Sequence, residues 1–309
     1  MKPMKKVTLI GLGAMGVFFA PRISEKLGAG FRIMASGARK DRLEQKGVTV
    51  NGINYRFPIV TPEDNDGPSD LVIIAVKGYD LVQALKDIKY QVGPETIILP
   101  ALIDSEKQTA DVYGQEHVLY SYMRVSIAMK DGKAEFDPEK GLIHFGEEKN
   151  DPGHLSDKVL AVKELFDRCG IDYKIDPDMI KGLWFKFMCN VGENMTCAMF
   201  GIPFGAFQKS ADANYFRRAA MWEVIRVANR LGVDIGQNEI DRQEHTIGRL
   251  PYQNKPSTLQ DLEAGKHTEV DMFAGTVVRL GKELGVETPV CEMFWHGIHL
   301  IEDRIFGNI

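Results

Sequence analysis

Two hydrophobic patterns divide the chain. Up to about residue 177, short apolar runs without alternation are separated by amphipathic stretches; beyond it, nearly everything repeats with the helical period. Lys6–Ile10, Phe31–Ala35, Asp70–Val76, Glu95–Pro100, Val118–Met129, Gly141–Gly146 and Asp172–Ile175 read as strands, and Gly47–Phe57 as a hairpin turning at Asn51-Gly52. Ala14–Leu27, disturbed by Pro21, and His154–Cys169 read as helices. Strands buried on both faces and alternating with helices predict a Rossmann-type doubly wound α/β sheet over residues 1–177. Pro177 is the expected hinge into an all-helical domain, 178–309, with helices near 178–200, 209–231, 236–247, 256–264, 268–284 and 289–305. Gly232, Gly265 and Gly285 mark helix ends.

One helical stretch stands out. Trp184–Phe200 is apolar almost all round (Phe185, Phe187, Met188, Val191, Met195, Met199), the mark of a buried helix. Yet Lys186, Asn190 and Asn194 recur at i, i+4 and i+8 and form one polar stripe. Burying an ammonium and two amides is costly unless each finds partners, and a cleft for a polar small molecule supplies them. The bland alternative has the asparagines bracing neighbouring helices while Lys186 snorkels to solvent.

Composition narrows the field. Hydrophobic residues make up 44% of the 309 and charged residues 26%, with a net charge of −5, which gives no basic excess for nucleic acid. Cys169, Cys189, Cys197 and Cys291 are scattered, with no metal-ligand spacing, as expected of reduced core thiols in a cytoplasmic protein. The basic start followed by apolar Val7–Ala20 imitates a secretory signal, but Gly11, Gly13 and Gly16 interrupt it. No run reaches the roughly 18 apolar residues of a membrane helix. Apolar residues near Phe294 and Trp295 suit a homodimer surface or the core.

The interrupting glycines have their own chemistry. Gly11-Leu12-Gly13-Ala14-Met15-Gly16 lies between a strand and a helix, the context in which GxGxxG binds a dinucleotide. Gly11 allows the tight turn, Gly13 lets backbone approach a pyrophosphate, and Gly16 lets helix pack on strand. The second strand ends without the acid that holds the ribose hydroxyls of NAD. Ser36, Arg39, Lys40 and Arg42 stand there instead, which favours NADP(H), unless the basic residues only solvate the next helix. Lys77 follows a strand end, either reaching into the ligand crevice or starting a surface helix. In the helical half, Ser257 or Thr258 reads as an N-cap and Glu269 as a carboxylate in a first helical turn; Thr268 and Asp271 make a loose capping box.

Together these pieces resemble the ketopantoate reductase (2-dehydropantoate 2-reductase) family along nearly the whole chain. The matching segments are Gly11–Gly16, Val76-Lys-Gly-Tyr-Asp80, Trp184-Phe-Lys186 with Asn190 and Asn194, Ser257-Thr-Leu-Gln-Asp261 and His267-Thr-Glu-Val-Asp271. The resemblance implies NADPH-dependent reduction of 2-dehydropantoate to (R)-pantoate, in pantothenate and coenzyme A biosynthesis. By it, Lys186 polarises or protonates the keto oxygen, Asn190 and Asn194 line the substrate pocket, Ser257 binds the carboxylate with Asn254 nearby, and Glu269 orients substrate and nicotinamide ribose. Lys77 sits by the cofactor. Two positions depart: Ala101, in Leu99-Pro-Ala-Leu-Ile-Asp104, replaces a family Asn that touches cofactor and substrate, and Ser36 stands where Arg is common. Two other readings stay open: a D-2-hydroxyacid dehydrogenase of the same fold acting on another 2-oxo acid, and a catalytically silent NADP(H)-binding sensor.

Overall fold

The computed structural model describes residues 3–101, 105–125 and 127–309. It divides into two compact units, Met1–Met179 and Ile180–Ile309. In unit 1, β1 (Val7–Ile10), α1 (Gly16–Leu27), β2 (Phe31–Met34) and α2 (Gly37–Lys46) lead into the hairpin of β3 (Val48–Val50) and β4 (Ile53–Tyr55). Asn51 and Gly52 both take positive φ, 47° and 81°, as a two-residue turn matched to strand twist requires. β5 (Ile59–Val60), β6 (Leu71–Ile74), α3 (Leu81–Asp87), β7 (Ile97–Pro100) and α4 (Glu106–Tyr113) complete the first sheet region. Its five strands are parallel, in the order β5-β2-β1-β6-β7.

Alternate side chains of this sheet enter different cores. Val7, Leu9, Ile33 and Ile73 join Phe18, Phe19 and Ile23 of α1, whereas Ile10, Met34, Val72 and Ile74 pack with Leu81, Ala84 and Leu85 of α3. Helices on both faces explain why the strands read as continuous apolar runs. The expected strand over Val118–Met129 is two pieces, β8 (Tyr120–Arg124) and β9 (Ala128–Lys130); Ser126 between them lies outside the described residues. β9 pairs with β10 (Lys133–Glu135) beside the hairpin, while β8 pairs with β11 (Leu142–Gly146), followed by α5 (Asp157–Cys169) and β12 (Tyr173–Lys174). α5 is capped by Ser156, whose hydroxyl accepts from Val159 N–H, and ends on left-handed Gly170.

A buried polar knot closes this unit. Asp176 accepts from Tyr122 at 2.7 Å, lies 2.6 Å from His144 Nδ1, and pairs with Lys174 at 2.9 Å. The His144 and Tyr122 rings stack at 4.3 Å, and Asn150 donates to the Asp176 carbonyl. Burial alone would raise the Asp176 carboxyl, but bonds from His144, Lys174 and Tyr122 outweigh it and hold the group well below the usual carboxylate range.

Unit 2 is helical, beginning from α6 (Met179–Cys189), whose first residue closes unit 1. A π turn, Asn190–Asn194, joins α6 to α7 (Met195–Phe200). Then come α8 (Ala211–Arg230), α9 (Gln237–Ile247), α10 (Ser257–Glu263), a second π turn at Asp271–Gly275, α11 (Thr276–Leu284) and α12 (Pro289–Phe306). α12 takes its N-terminal cap from another helix: Glu223 of α8 accepts from the N–H groups of Val290 and Cys291 at 2.9 and 2.8 Å. Phe294 is fully buried and Trp295 half-buried with its indole N–H on Asp271, so of the two roles open to them Phe294 takes the core. All four cysteines are buried and free. Among the described residues no helix is long and apolar enough to cross a membrane, and no group of His, Cys, Asp or Glu fits a metal ion.

The depressed Asp176 group predicts acid sensitivity with a definite sign. Its contribution is fully present above the unfolded carboxyl value, about 4, and is lost as pH falls through the lower folded value. Asp176→Asn should lower the unfolding temperature at neutral pH, by about 1.5–3 kcal/mol of stability, and flatten the fall of that temperature below about pH 4. A variant as acid-sensitive as the parent would show that another group sets the acid limb.

Candidate active site

In unit 1 the expected cofactor residues gather at the carboxyl ends of parallel strands. The β1–α1 turn is tight: Gly11 has φ +97°, and a Cβ there would meet the Ala75 backbone at 2.5 Å. A Cβ on Gly16 would lie 2.1 Å from the Gly11 carbonyl oxygen. Gly13 faces open space, with nothing within 4 Å of a Cβ. Two glycines are thus required by the protein's own backbone, and the third keeps a surface clear. Leu12 is buried, half-buried Ala14 and Met15 lead into α1 with Met15 as its N-cap, and no side chain caps that helix or brings an acid to its first turn. Backbone N–H groups and the helix dipole there suit a pyrophosphate, so the turn fits the dinucleotide expected of it.

The neighbouring strand ends carry the rest. Ser36 is the N-cap of α2 but makes no side-chain cap bond, and α2 opens through Gly37 at φ +52° with no acid in its first turn. Arg39 lies in that turn; burial, then repulsion from Arg42, lowers its guanidinium, against attraction from Asp80. Asp80 belongs to the 3₁₀ turn Gly78–Asp80 after half-buried Lys77, so Arg39 and the Lys77 turn are neighbours. Ala101 follows β7, buried, with its N–H on the Ile74 carbonyl at 2.7 Å. Leu102, Ile103 and Asp104 of the same segment lie outside the described residues.

In unit 2 the polar stripe acquires a geometry that the sequence did not reveal. Lys186 is half-buried in α6, and Asn190 and Asn194, each 8% exposed, bound the π turn. In an α-helix a four-residue step overshoots a full turn by about 40°. Across a π turn, which holds more residues per turn, the same step falls short. The two deviations oppose each other, so Asn194 returns toward the direction of Lys186 instead of drifting further around the helix. The turn is buttressed: Thr196 donates to the Gly192 carbonyl at 2.7 Å, and a Cβ on Gly192 would meet the α8 backbone at 2.9 Å. α10 and the second π turn both pack on this segment.

Ser257 is exposed as the first residue of α10, with Pro256 as N-cap, so the capping role open to Ser257 or Thr258 is filled by neither. The backbone carbonyl of half-buried Asn254 accepts from Phe204 N–H at 2.8 Å. Glu269 is half-buried just before the second π turn, and Phe273 of that turn lies 6.4 Å, ring to ring, from Phe187 beside Lys186. No capping box forms: Thr268 accepts from Val270 N–H, two residues on, and Thr268 N–H is held by buried Glu302 at 2.7 Å. His299 links Glu302 (3.4 Å) to Asp271 (3.0 Å), so α12 braces the loop bearing Glu269. Sequence reasoning missed this brace and missed Glu193. The only signal was a charged residue inside an otherwise apolar run.

Comparison with known proteins now decides the lineage. The ketopantoate reductase PanE/ApbA family model matches residues 7–150, and the model for that family's C-terminal domain matches residues 178–302. The chain belongs to the ketopantoate reductase family. It is an oxidoreductase acting on a CH–OH group. A 2-dehydropantoate 2-reductase of Streptococcus pyogenes is 26% identical over 301 residues, covering 96% of this chain and 97% of the relative. An uncharacterized oxidoreductase of Bacillus subtilis, YkpB, is 24% identical, covering 96% and 99%. Among solved structures, the ternary complex of D-mandelate dehydrogenase with NADH and anilino(oxo)acetate superposes with a TM-score of 0.86 at 20% identity, covering 97% of this chain and 99% of that one. That likeness establishes the fold.

The three glycines give a separable test. Gly13→Ala should unfold at the parent's temperature yet lose dinucleotide affinity at least tenfold, because its methyl group enters only the open side. Gly16→Ala should be destabilised outright, since its clash is with backbone. Binding by titration calorimetry beside thermal unfolding checks both. Unchanged affinity in folded Gly13→Ala would show that the dinucleotide does not lie on this turn.

Proposed function

We propose that the protein reduces 2-dehydropantoate to (R)-pantoate with NADPH. The observation that carries the reading is the polar row of Lys186, Asn190 and Asn194, closed by a π turn, in a helix that is otherwise largely buried and apolar. Family membership supplies the reaction class. Bound NADPH would supply the hydride. As the carbonyl carbon is reduced, negative charge builds on its oxygen, and the Lys186 ammonium is the group to stabilise that oxygen and give it a proton. Asn190 and Asn194 hold the polar end of the substrate. Ser257 and Asn254 take the carboxylate, and Glu269 fixes the orientation of substrate and ribose. The α2 N-terminus supports NADPH over NADH: Ser36 and Arg39 sit there with no acid to repel a 2′-phosphate.

Ala101 favours a second reading. Where relatives of the family carry an amide, this chain offers a methyl group, so the pocket there is less polar. A D-2-hydroxyacid dehydrogenase acting on a different 2-oxo acid fits that change, and the similarity to a D-mandelate dehydrogenase fold is consistent with it.

Comparing kcat/KM for 2-dehydropantoate, 2-oxoisovalerate, 2-oxoisocaproate and phenylglyoxylate, with NADPH and with NADH, separates these. Preference for 2-dehydropantoate with NADPH is expected. Preference for another acid would install the second reading, and oxidation with none would leave a binding protein or a substrate outside this panel. Lys186→Ala should lower turnover roughly 10²–10⁴-fold, the range for losing a general acid; near-normal turnover would remove Lys186 from that role.

A further inference from the structure

Next to the polar row lies a buried ion pair that the chemistry above does not use. Glu193, in the π turn, is 4% exposed; its Oε2 accepts from Gln243 of α9 at 2.9 Å, and Oε1 lies 3.4 Å from Arg217 Nη1 of α8. Arg217 is 1% exposed, reaches Glu244 at 3.0 Å with its other Nη, and lies over the Phe207 ring at 5.1 Å. Such a pair is a weak source of stability, because well-packed apolar residues usually hold a fold as firmly. This one is incomplete as well: Arg217 Nε is buried with no hydrogen-bond partner among the described residues. Its position is informative. α8 presses its backbone against Gly192, and Glu193 ties the next residue to α8 and α9, so the turn between Asn190 and Asn194 is clamped to both helices.

We propose that Glu193 is a positioning residue of the site: held by Arg217 and Gln243, it fixes the π turn that presents Asn190 and Asn194, and its charge acts on the Lys186 ammonium. The inference rests on the reading of Lys186 as proton donor. Seven residues of helix put the two groups about 10 Å apart along the axis. The charged and titratable groups around Glu193 are Lys186 from α6, Arg217 from α8, the Cys197 thiol from α7, and, through Arg217, Glu244 of α9 and its partner Arg218. Burial pushes the Glu193 carboxyl up to about 7 against the pull of Arg217, Gln243 and Lys186. Above that pH it is ionised, and the negative charge favours the protonated form of Lys186.

The test uses the full chain and three variants: Glu193→Gln, the apolar pair Glu193→Leu with Arg217→Met, and Lys186→Ala as control. Thermal unfolding, KM for each substrate, and the pH profile of kcat/KM are read for the 2-oxo acid reduced fastest in the panel above. Glu193→Gln should raise KM for the 2-oxo acid about tenfold, leave KM for the nicotinamide cofactor unchanged, and move the alkaline limb of the profile down by about half to one pH unit, the size expected for one charge at that range. The apolar pair should unfold near the parent's temperature and still show the raised KM. A folded apolar pair with the parent's KM would reduce Glu193 to a structural role and overturn the proposal. So would a folded Glu193→Gln whose KM and alkaline limb both match the parent, while Lys186→Ala abolishes turnover. If Lys186→Ala keeps turnover, the proton-donor reading falls and takes the electrostatic half of the proposal with it.

Discussion

A carboxylate and a guanidinium removed from water must complete each other or unfold what encloses them. In unit 2 that requirement falls on Glu193 and Arg217, where the α6–α7 helix meets α8 and α9. Much of the helical unit follows from it. Glycine at 192 lets α8 come close enough, Thr196 satisfies a carbonyl loosened by the turn, and the wider winding of the backbone brings Asn194 back into line with Lys186. A regular α-helix would keep its hydrogen bonds but spread the polar row around its surface.

Unit 1 meets a different constraint with simpler means. Parallel strands need both faces covered, and the alternation of side chains between the α1 and α3 sides supplies two cores from one sheet. The strand ends are then held so closely that Gly11 and Gly16 leave no room for a Cβ, while the surface at Gly13 between them stays open.

Much of this was legible in the sequence, and the limits were physical. Strand–glycine–helix at residues 7–27 and the hairpin at Asn51-Gly52 depend on local rules, so the pattern located them. Helix ends beyond Pro177 were found within a few residues because glycine and proline punctuate them. The π turns were not legible, since a winding change of one residue leaves the hydrophobic pattern almost intact and is decided by tertiary contacts such as Arg217 with Glu193. The candidate row at Lys186, Asn190 and Asn194 was visible as a spacing, but its alignment was not. Phe294 and Trp295 were left open between a dimer surface and the core, because an apolar residue on a helix gives no sign of which face is covered. The brace formed by Glu302, His299 and Asp271 joins residues more than twenty positions apart, a distance over which periodicity carries no information.

That brace has a consequence for how the protein is made. The loop bearing Glu269 depends on a carboxylate that follows Thr268 by 34 residues, on α12. The dinucleotide unit closes its sheets with residues up to β12, all of which leave the ribosome first, and domains emerging early generally fold as units. The nascent chain therefore completes its cofactor-type unit while the Glu269 loop still lacks its anchor. Only when α12 has emerged can that loop take its final shape.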